Sequence, residues 1–568
     1  MAINLNLSAS KGLRLAIGLS SLLIATLSVS DSSAQIAAAP SAHAMGAFGT
    51  PHNWPIMPIA MMLMPNGTVF AYGTDTGTDT GANAKQDTQQ YAVWDTSIPP
   101  AWTRGSKTSA AFQLLPNDTK SNIFCSAQVH LLPNRALIIG GDVDILGVAT
   151  NDGNNNVVVF ESKNATTELP SITNREKMPW PRWYPTAVTL PNKTTLVLGG
   201  RMTAPEMNGD GPTDDELATY PPSTPYIRVP GMPATWKPLG TAGGADGNSA
   251  YGSLNNSWFY PRAWVDPRGK VFILTHAGEM FKLDTAGTGT LTPYAAPLQP
   301  IKPSSSRLSS VMFAPGKILS IRKDRVAIVV DITGTGEPVV TKIASLFKDR
   351  AYGSLTVLAD GKVWANGGTF SPASNPKDPE QSRVELRDTN LDSEIWDPET
   401  NMWTATAKAQ YARHYHSSAL LLPDGSVMTA GGGSPGPETN LNGEIYYPPY
   451  LFNTNHAPAI RPTILSIVNG SNFSLTRIGW NRPMTITTGE GARNKINRIT
   501  LVRAGAATHT FNNETRFFEL TIPPLEVGTN VVTVSTPLNA NEAPPGYYMV
   551  FMWNESGVPS VAKIIEIS

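Results

Sequence analysis

The chain has 568 residues, more than one compact core usually serves, so several domains or one large repeat array are expected. Charged residues make up 15% and the formal net charge is −1, which leaves no basic field to hold nucleic acid or an anionic membrane. Gly and Pro number 48 each, a turn-rich composition typical of many short strands rather than long helices.

The first 44 residues have the features of an export signal. Lys11 and Arg14 precede an apolar run over 15–29, and small residues then offer cleavage sites after Ala34 or Ala44. The run is short and rich in Ser, so an uncleaved anchor is the less favoured alternative, and no stable membrane span is expected. We therefore expect a protein that is secreted or associated with the cell envelope.

A hairpin motif recurs seven times after the signal. Each copy has apolar residues, a turn with Pro, Asn, Asp or Gly, and a second apolar strand that often ends in paired glycines. The copies cover 61–73, 129–141, 187–200, 263–278, 310–321, 354–368 and 419–433. Their spacing of roughly 45 to 75 residues fits kelch-type repeats. An all-β fold with a seven-bladed kelch-type β-propeller over 45–456 is predicted, and 45–60 helps to close its ring. Ordinary hairpins in a sandwich are the alternative, which seven similar units disfavour.

The hairpin repeat ends before a Pro-containing connector at 457–462, and the sequence pattern after it is different. Strand-type segments follow at 484–488, 498–504, 530–536 and 547–553. They predict an immunoglobulin-like β-sandwich over 457–568. Because the chain has a single cysteine, a paired-cysteine immunoglobulin domain is excluded and the label is architectural only.

Histidine is densest in ARHYHSS (412–418), at the start of the last hairpin. His414 and His416 lie two apart, so on a strand they would share a face and could hold a metal ion together. The alternative is a polar strand start whose rings only form hydrogen bonds, and the spacing leaves both open. His509 is placed at the tip of a further predicted hairpin in 507–520.

One cysteine in an exported protein cannot form an internal disulfide, so Cys125 is either an inert buried thiol or is kept for covalent chemistry. Cys125 and Tyr184 occupy equivalent positions just before the hairpins of successive repeats, and Tyr415 has the same kind of position in a late repeat. In a closed ring, such positions converge on one end of the central axis.

At these residues the chain resembles the copper-radical oxidases, the family of galactose oxidase and glyoxal oxidase. The likeness covers nearly all of the mature chain and rests on FCSAQ, RWYPTAVTLPNKTTLVLGGR, YHSSALLLPDGSVMTAGGG and ATHTFN. It implies a thioether between Cys125 and Tyr184, with Tyr184 as an equatorial copper ligand and radical store. It further implies His416 and His509 as nitrogen ligands, and Tyr415 as the axial ligand and the base that takes the substrate proton.

The resemblance implies a chemistry that suits these residue types. Imidazole and phenolate ligands with an open position suit Cu(II). One copper takes one electron, so the two-electron oxidation of an alcohol or hydrated aldehyde requires the thioether-linked Tyr184 as a second store. The resemblance implies a monomeric enzyme that oxidises small aldehydes or primary alcohols with O₂ and releases hydrogen peroxide.

Three departures from galactose oxidase bear on the substrate. Arg201 and Met202 stand where that enzyme supplies a Trp over the modified tyrosine, so a cover would come from 203–257 or Trp258. Tyr352 matches a substrate-pocket position, although packing is an equal alternative. Arg307 is out of register with the arginine that recognises galactose. Two other functions are the alternatives to an oxidase. One is an extracellular propeller that binds glycans and has a vestigial copper site, and the other is a kelch scaffold for protein partners.

Overall fold

The computed structural model describes residues 41–74, 89–100, 102–103, 109–145, 148–162, 169–201, 224–243, 259–276, 278–295, 308–370, 389–433, 438–469, 476–489, 496–523 and 530–568. Residues 1–40, which hold most of the predicted export signal, lie outside these ranges, as do Met202, Trp258 and Arg307. Within them, the helices are too short or too polar to cross a bilayer.

The regular secondary structure of the described residues is almost entirely β. It begins with helix α1 (Ala42–Met45) and two short strands, β1 (Ala47–Phe48) and β2 (His52–Asn53). The first repeat sheet consists of β3 (Met57–Leu63), β4 (Thr68–Thr74), β5 (Gln89–Asp95) and β6 (Phe112–Leu115). The second consists of β7 (Ala127–Leu131), β8 (Arg135–Ile139), β11 (Val157–Glu161) and β12 (Ser171–Asn174). Between β8 and β11, the chain forms a small hairpin of β9 (Asp142–Ile145) and β10 (Val148–Gly153).

Five more repeat sheets continue the pattern. The third and fourth consist of β13 (Trp183–Thr189), β14 (Thr195–Arg201), β15 (Tyr226–Val229), β16 (Thr235–Pro238), β17 (Arg262–Val265), β18 (Val271–Leu274), β19 (Met280–Asp284) and β20 (Thr290–Pro293). The fifth to seventh consist of β21 (Ser310–Ala314), β22 (Lys317–Ile321), β23 (Ala327–Asp331), β24 (Val339–Lys342), β25 (Ser354–Val357), β26 (Val363–Asn366), β27 (Ser393–Asp397), β28 (Met402–Thr406), β29 (Ser417–Leu421), β30 (Val427–Gly431) and β31 (Asn442–Tyr447).

Each repeat sheet is an antiparallel meander whose first two strands are the hairpin predicted from the sequence. The seventh sheet has three strands from its own repeat, and β1 and β2 add to its outer edge by pairing with β31 (Ala47 opposite Tyr447). The segment 45–60 therefore joins the last sheet to β3 of the first. Part of 203–257, named above as a source of a cover for the modified tyrosine, forms β15 and β16, the outer strands of the third sheet.

Apolar side chains pack neighbouring repeat sheets against each other in chain order. Phe70 of the first sheet stacks on Phe160 of the second, with ring centroids 3.9 Å apart. Leu198 of the third sheet shares a buried cluster with Ile273 of the fourth. A large cluster joins the first, sixth and seventh sheets, and it includes Ala42 of α1, which is fully buried. Cleavage after Ala34 would retain α1, whereas cleavage after Ala44 would remove this packing.

Two further sheets form the C-terminal region. Its strands are β32 (Ile464–Asn469), β33 (Arg477–Ile478), β34 (Pro483–Thr488), β35 (Ile496–Arg503), β36 (Ala506–Thr508), β37 (Phe511–Asn512), β38 (Phe517–Leu520), β39 (Val531–Ser535), β40 (Gly546–Asn554) and β41 (Lys563–Ile567). One sheet has the order β32-β34-β39 and the other β33-β41-β40-β35-β38. A single apolar core with residues from both sheets, such as Ile486 and Val550, lies between them.

The β36–β37 hairpin leaves the C-terminal sheets and inserts among the repeats. β36 pairs antiparallel with β3 (Ala60 opposite Thr508), and β37 pairs in parallel with β21 (Ser310 opposite Phe511). The two turn residues, His509 and Thr510, have φ values of 48° and 65°. Positive φ at both central residues is the geometry of a tight type I′ hairpin. The insertion therefore carries His509 from one region to the first strands of the other.

Glu514 fixes the base of this hairpin. Its carboxylate accepts hydrogen bonds from His130 (Nδ1, 3.0 Å) and Thr189 (Oγ1, 3.0 Å) and pairs with Arg503 at 3.1 Å. His130 and Thr189 belong to the first strands of the second and third repeat sheets. A buried carboxylate is tolerated only when it is paired and hydrogen-bonded in this way. The hairpin is thus tied to two repeats as well as to β35.

Candidate metal centre

Five repeat sheets share an unusual backbone feature at the start of their first strand. A residue other than glycine has φ between 42° and 65° at Cys125, Tyr184, Tyr260, Tyr352 and His416. Positive φ is uncommon for such residues and clusters at functional sites. Three of the starts are joined by backbone hydrogen bonds of 2.9 Å, from the N–H of Tyr184 to Cys125 and from the N–H of Tyr260 to Tyr184.

The bend at His416 lets two adjacent residues face the same region. The rings of Tyr415 and His416 lie 3.7 Å apart and nearly parallel, at 28°. A regular strand would place them on opposite faces. The positive φ of His416 therefore lets Tyr415 and His416 face one site together.

Side chains from four distant segments meet at this point. Ligand atoms of Cys125, His416 and His509 lie within 4.8 Å of one another, and Cys125 Sγ is 3.5 Å from Nε2 of His509. The hydroxyls of Tyr184 and Tyr415 are hydrogen-bonded to each other. The ring of Tyr184 is 5.1 Å from that of His509. We call these five residues the axial cluster.

The axial cluster is buried on all but one side. Cys125, Tyr184, His416 and His509 are at most 6% exposed, whereas Tyr415 is half-buried. Tyr352 is buried too, and its ring lies 5.3 Å from Tyr415. A small molecule arriving from solvent would therefore meet Tyr415 first and would find Tyr352 beside it.

The hydrogen bonds of the two imidazoles fix which nitrogen carries the proton. Nδ1 of His416 faces the carbonyl oxygen of Gly433 at 2.9 Å, so it must donate. Thr508 donates its hydroxyl proton to the carbonyl of Ile59, so its oxygen accepts from Nδ1 of His509 at 2.6 Å. Both Nε2 atoms then carry lone pairs, as metal-binding imidazoles require. With two phenols beside them, this donor set fits Cu(II).

Burial sets the protonation of the cluster in the absence of a metal ion. It raises the pKa of the Cys125 thiol and of the Tyr184 phenol well above their usual values. Burial, together with His416 and Arg262, lowers the pKa of His509 well below its usual value. The imidazole is therefore neutral and ready to act as a ligand, and a bound cation would favour ionisation of the phenols.

His414, the other histidine of the last hairpin, has a separate environment. Its Nε2 lies 2.9 Å from the hydroxyl of Thr389 in the sixth repeat, and burial lowers its pKa to about 4. Of the two histidines left open by the spacing, the structure brings only His416 into the axial cluster.

Three aromatic residues around Tyr184 were missed in the sequence interpretation. The rings of Trp183, Phe259 and Tyr260 lie 4.3, 4.8 and 4.8 Å from that of Tyr184, at angles of 89°, 90° and 69°. The guanidinium of Arg201 lies over Trp183 rather than over Tyr184, 4.4 Å from the Trp183 ring. A sequence signal did exist, because WYP at 183–185 and FYP at 259–261 stand at the same place in successive repeats.

Comparisons with known proteins show what the chain is similar to. Residues 461–567 match the family described as "Galactose oxidase-like, Early set domain". A galactose oxidase of Gibberella zeae is 28% identical over 73% of this chain and 60% of its own length. An aldehyde oxidase GLOX of Vitis pseudoreticulata is 32% identical over 27% of this chain and 30% of its own length.

A solved structure supports the fold. A fungal alcohol oxidase of the AA5 family, in complex with copper, superposes with a TM-score of 0.72 at 23% identity, covering 92% of this chain and all of that one. The chain spans about 60% of the length of the curated galactose oxidases it matches. The matched C-terminal domain, these relatives and the shared fold therefore make the chain similar to the copper-radical oxidases, the family of galactose oxidase, and support its assignment to them.

Proposed function

We propose that the protein is a secreted mononuclear copper-radical oxidase that converts small aldehydes or primary alcohols with O₂ and releases hydrogen peroxide. The observation that carries the proposal is the meeting of one thiol, two phenols and two imidazoles from four distant segments at one buried point. Tyr184, Tyr415, His416 and His509 would bind the copper ion, and Cys125 would form a thioether with the ring of Tyr184.

The proposed fold explains why the five residues of the axial cluster meet. The seven repeat sheets would form the blades of a kelch-type propeller over 45–456, and 457–568 would be an immunoglobulin-like sandwich. Packing of neighbouring sheets in chain order, and of the seventh against the first, supports a ring. The first strands would line its axis, and the β36–β37 hairpin would enter that axis from the C-terminal region.

The residues divide the chemistry between them. A bound Cu(II) ion would supply a one-electron acceptor and a Lewis acid for the substrate oxygen. Tyr184, once linked to sulfur, would store the second oxidising equivalent, because ring substitution makes a phenol easier to oxidise. Tyr415 would take the substrate's hydroxyl proton, since it is the half-buried member of the cluster and its hydroxyl already bonds to that of Tyr184. Tyr352 would line the substrate pocket beside it.

The cross-link gives the decisive test. Purified protein is loaded with Cu(II) in air and digested with trypsin, and the peptides are analysed by mass spectrometry. The peptides that hold Cys125 and Tyr184 should appear joined, two hydrogen atoms lighter than their sum. The control is the Cys125→Ala variant, which should give only separate peptides. Separate unmodified peptides from the copper-loaded wild type would overturn the radical mechanism and favour the glycan-binding alternative.

A further inference from the structure

A cavity of about 490 Å³ lies at the end of the sixth repeat sheet that is opposite to the axial cluster. Tyr352 precedes β25 and lies beside Tyr415, whereas Asp360, in the turn after β25, lines the cavity. β25 has four residues and is about 13 Å long, so the two places are at opposite ends of that strand. A ligand in this cavity, which we call the distal cavity, would not meet Tyr415.

Three parts of the chain enclose the distal cavity. They are the sixth repeat sheet, helix α1 with the segment after β31, and the C-terminal sheet that contains β35 and β40. The C-terminal sheet is tied to the turn of Asp360, because Arg498 donates to the carbonyl of Asp360 and Thr500 donates to that of Ala359, both at 2.9 Å. The volume suits a small organic ligand, since such sites measure about 300–1,000 Å³.

The distal cavity has an apolar floor and a polar rim. Its buried lining residues are mostly apolar, among them Leu358, Ile395 and Trp553. Its exposed lining residues are mostly polar, among them Thr400, Thr404, Asn497 and Glu555. A ligand with one apolar face and several hydroxyl groups would match both surfaces.

Asp360 brings a half-buried carboxylate to the distal cavity. It accepts a hydrogen bond from the N–H of Lys362 at 3.1 Å. The two neighbouring cations pair elsewhere, Lys362 with Asp397 at 3.0 Å and Arg498 with Glu519 at 2.7 Å. Burial raises the pKa of Asp360 above its usual value, because water solvates its charged form incompletely. Since a carboxylate has about four accepting sites, Asp360 can still accept hydrogen bonds from a ligand.

The charges around the distal cavity disfavour an ionic ligand. Three carboxylates, including Asp360, would repel an anion, and Lys362 and Arg498 would repel a cation. A wholly apolar ligand would desolvate these groups without giving them partners. We propose that the distal cavity binds a neutral saccharide of one or two units, whose hydroxyls donate to Asp360 and whose C–H face lies on the apolar floor. A bound saccharide would leave the axial cluster open to substrate at the other end of β25.

Isothermal titration calorimetry of the full chain without added copper tests this proposal. The probes are xylobiose, cellobiose and mannobiose, of which at least one should bind. Xylobiose has no primary alcohol group and is therefore a poor match for the substrate site of the proposed oxidase. Digalacturonic acid is the anionic comparison, and it should bind about tenfold more weakly than the best neutral probe, because the carboxylates of the cavity repel it.

Two replacements test the lining of the distal cavity. Asp360→Asn can keep the hydrogen bond from Lys362 but removes the charge, so it should weaken saccharide binding about tenfold. Thr404→Trp, at an exposed position of β28, should fill the cavity and weaken binding at least as much. The matched control is Asp424→Asn, because Asp424 accepts from the N–H of Ser426 in the equivalent turn of the seventh sheet, outside the cavity. It should bind the saccharide as the wild type does.

A further variant, His416→Ala, separates the two ends of the molecule. It changes the axial cluster and should leave saccharide binding unchanged. Loss of binding in His416→Ala, with normal binding in Thr404→Trp, would place the saccharide at the copper end and overturn the proposal. Absence of binding by all three neutral probes, or tighter binding of digalacturonic acid, would overturn it as well.

Circular dichroism and urea unfolding check that each variant is folded. Should Asp360→Asn fail to fold, Thr404→Trp decides alone, and unchanged binding in that variant would refute the site. Saccharide binding in the distal cavity does not require the copper chemistry. A failed cross-link test would therefore overturn the proposed function and leave this site standing, and the reverse also holds.

Discussion

Replacing Glu514 with Gln should weaken the attachment of the hairpin that delivers His509. Glu514 is 1% exposed and interacts with Arg503, His130 and Thr189. Burial alone would raise its pKa, but Arg503 and the hydrogen bonds from His130 outweigh burial and lower the pKa from 4.5 to about 2. Gln has nearly the same shape, but it removes the charge and replaces one accepting oxygen with an amide NH2 group, so either the bonds to Arg503 and Thr189 or those from His130 are also lost.

The size of the effect follows from this shift in pKa. The difference between 4.5 and 2 is 2.5 units, and at 1.36 kcal/mol per unit it corresponds to about 3 kcal/mol of folding free energy. Because the pKa in the folded state is depressed, this stabilisation is fully present above pH 4.5 and is lost as the pH falls towards 2. The difference between wild type and variant should therefore be largest at neutral pH.

Urea unfolding at pH 7 and at intervals down to pH 3 measures this difference. Glu514→Gln should be about 3 kcal/mol less stable at pH 7, and the gap should narrow below pH 4.5. The control is Glu519→Gln on β38, an exposed carboxylate that pairs with the partly buried Arg498, and it should cost under about 1 kcal/mol. A gap for Glu514→Gln that stays the same from pH 7 to pH 3 would show that its charge does not hold the hairpin.

Three further predictions concern the site and the N-terminus. His416→Ala should weaken Cu(II) binding about 100-fold or more in isothermal titration calorimetry. His414 lies against Thr389 instead, so His414→Ala should bind Cu(II) within about twofold of the wild type. Equal losses of affinity in the two variants would contradict the assignment of His416. Cys125→Ala should keep the circular dichroism spectrum and copper binding but lose most peroxide release, and full turnover would refute the thioether. N-terminal sequencing of exported protein should find a start before Ser41, because Ala42 is fully buried, and a start at Met45 would contradict the role given to α1.

The hairpins could be predicted from the sequence because their turn chemistry is local. Copies such as 187–200 and 419–433 become antiparallel pairs in the structure, since Pro, Asn, Asp and Gly fix a turn wherever apolar strands flank it. The outer strands were less visible. No strand was predicted in 203–257, and the pairing of β15 with β14 reveals one there. Local sequence patterns thus identified the two inner strands of each repeat, and the outer strands became visible only from their pairing in the structure.

The sequence by itself determined which residues could do chemistry, because a single cysteine, few histidines and matching strand starts limit the choice. The tertiary structure decided between His414 and His416, since the positive φ of His416 turns its ring beside Tyr415 and towards His509 while His414 bonds to Thr389. It alone brought Tyr260 against Tyr184. Contacts between strands that are far apart in the chain depend on packing, which no local pattern encodes.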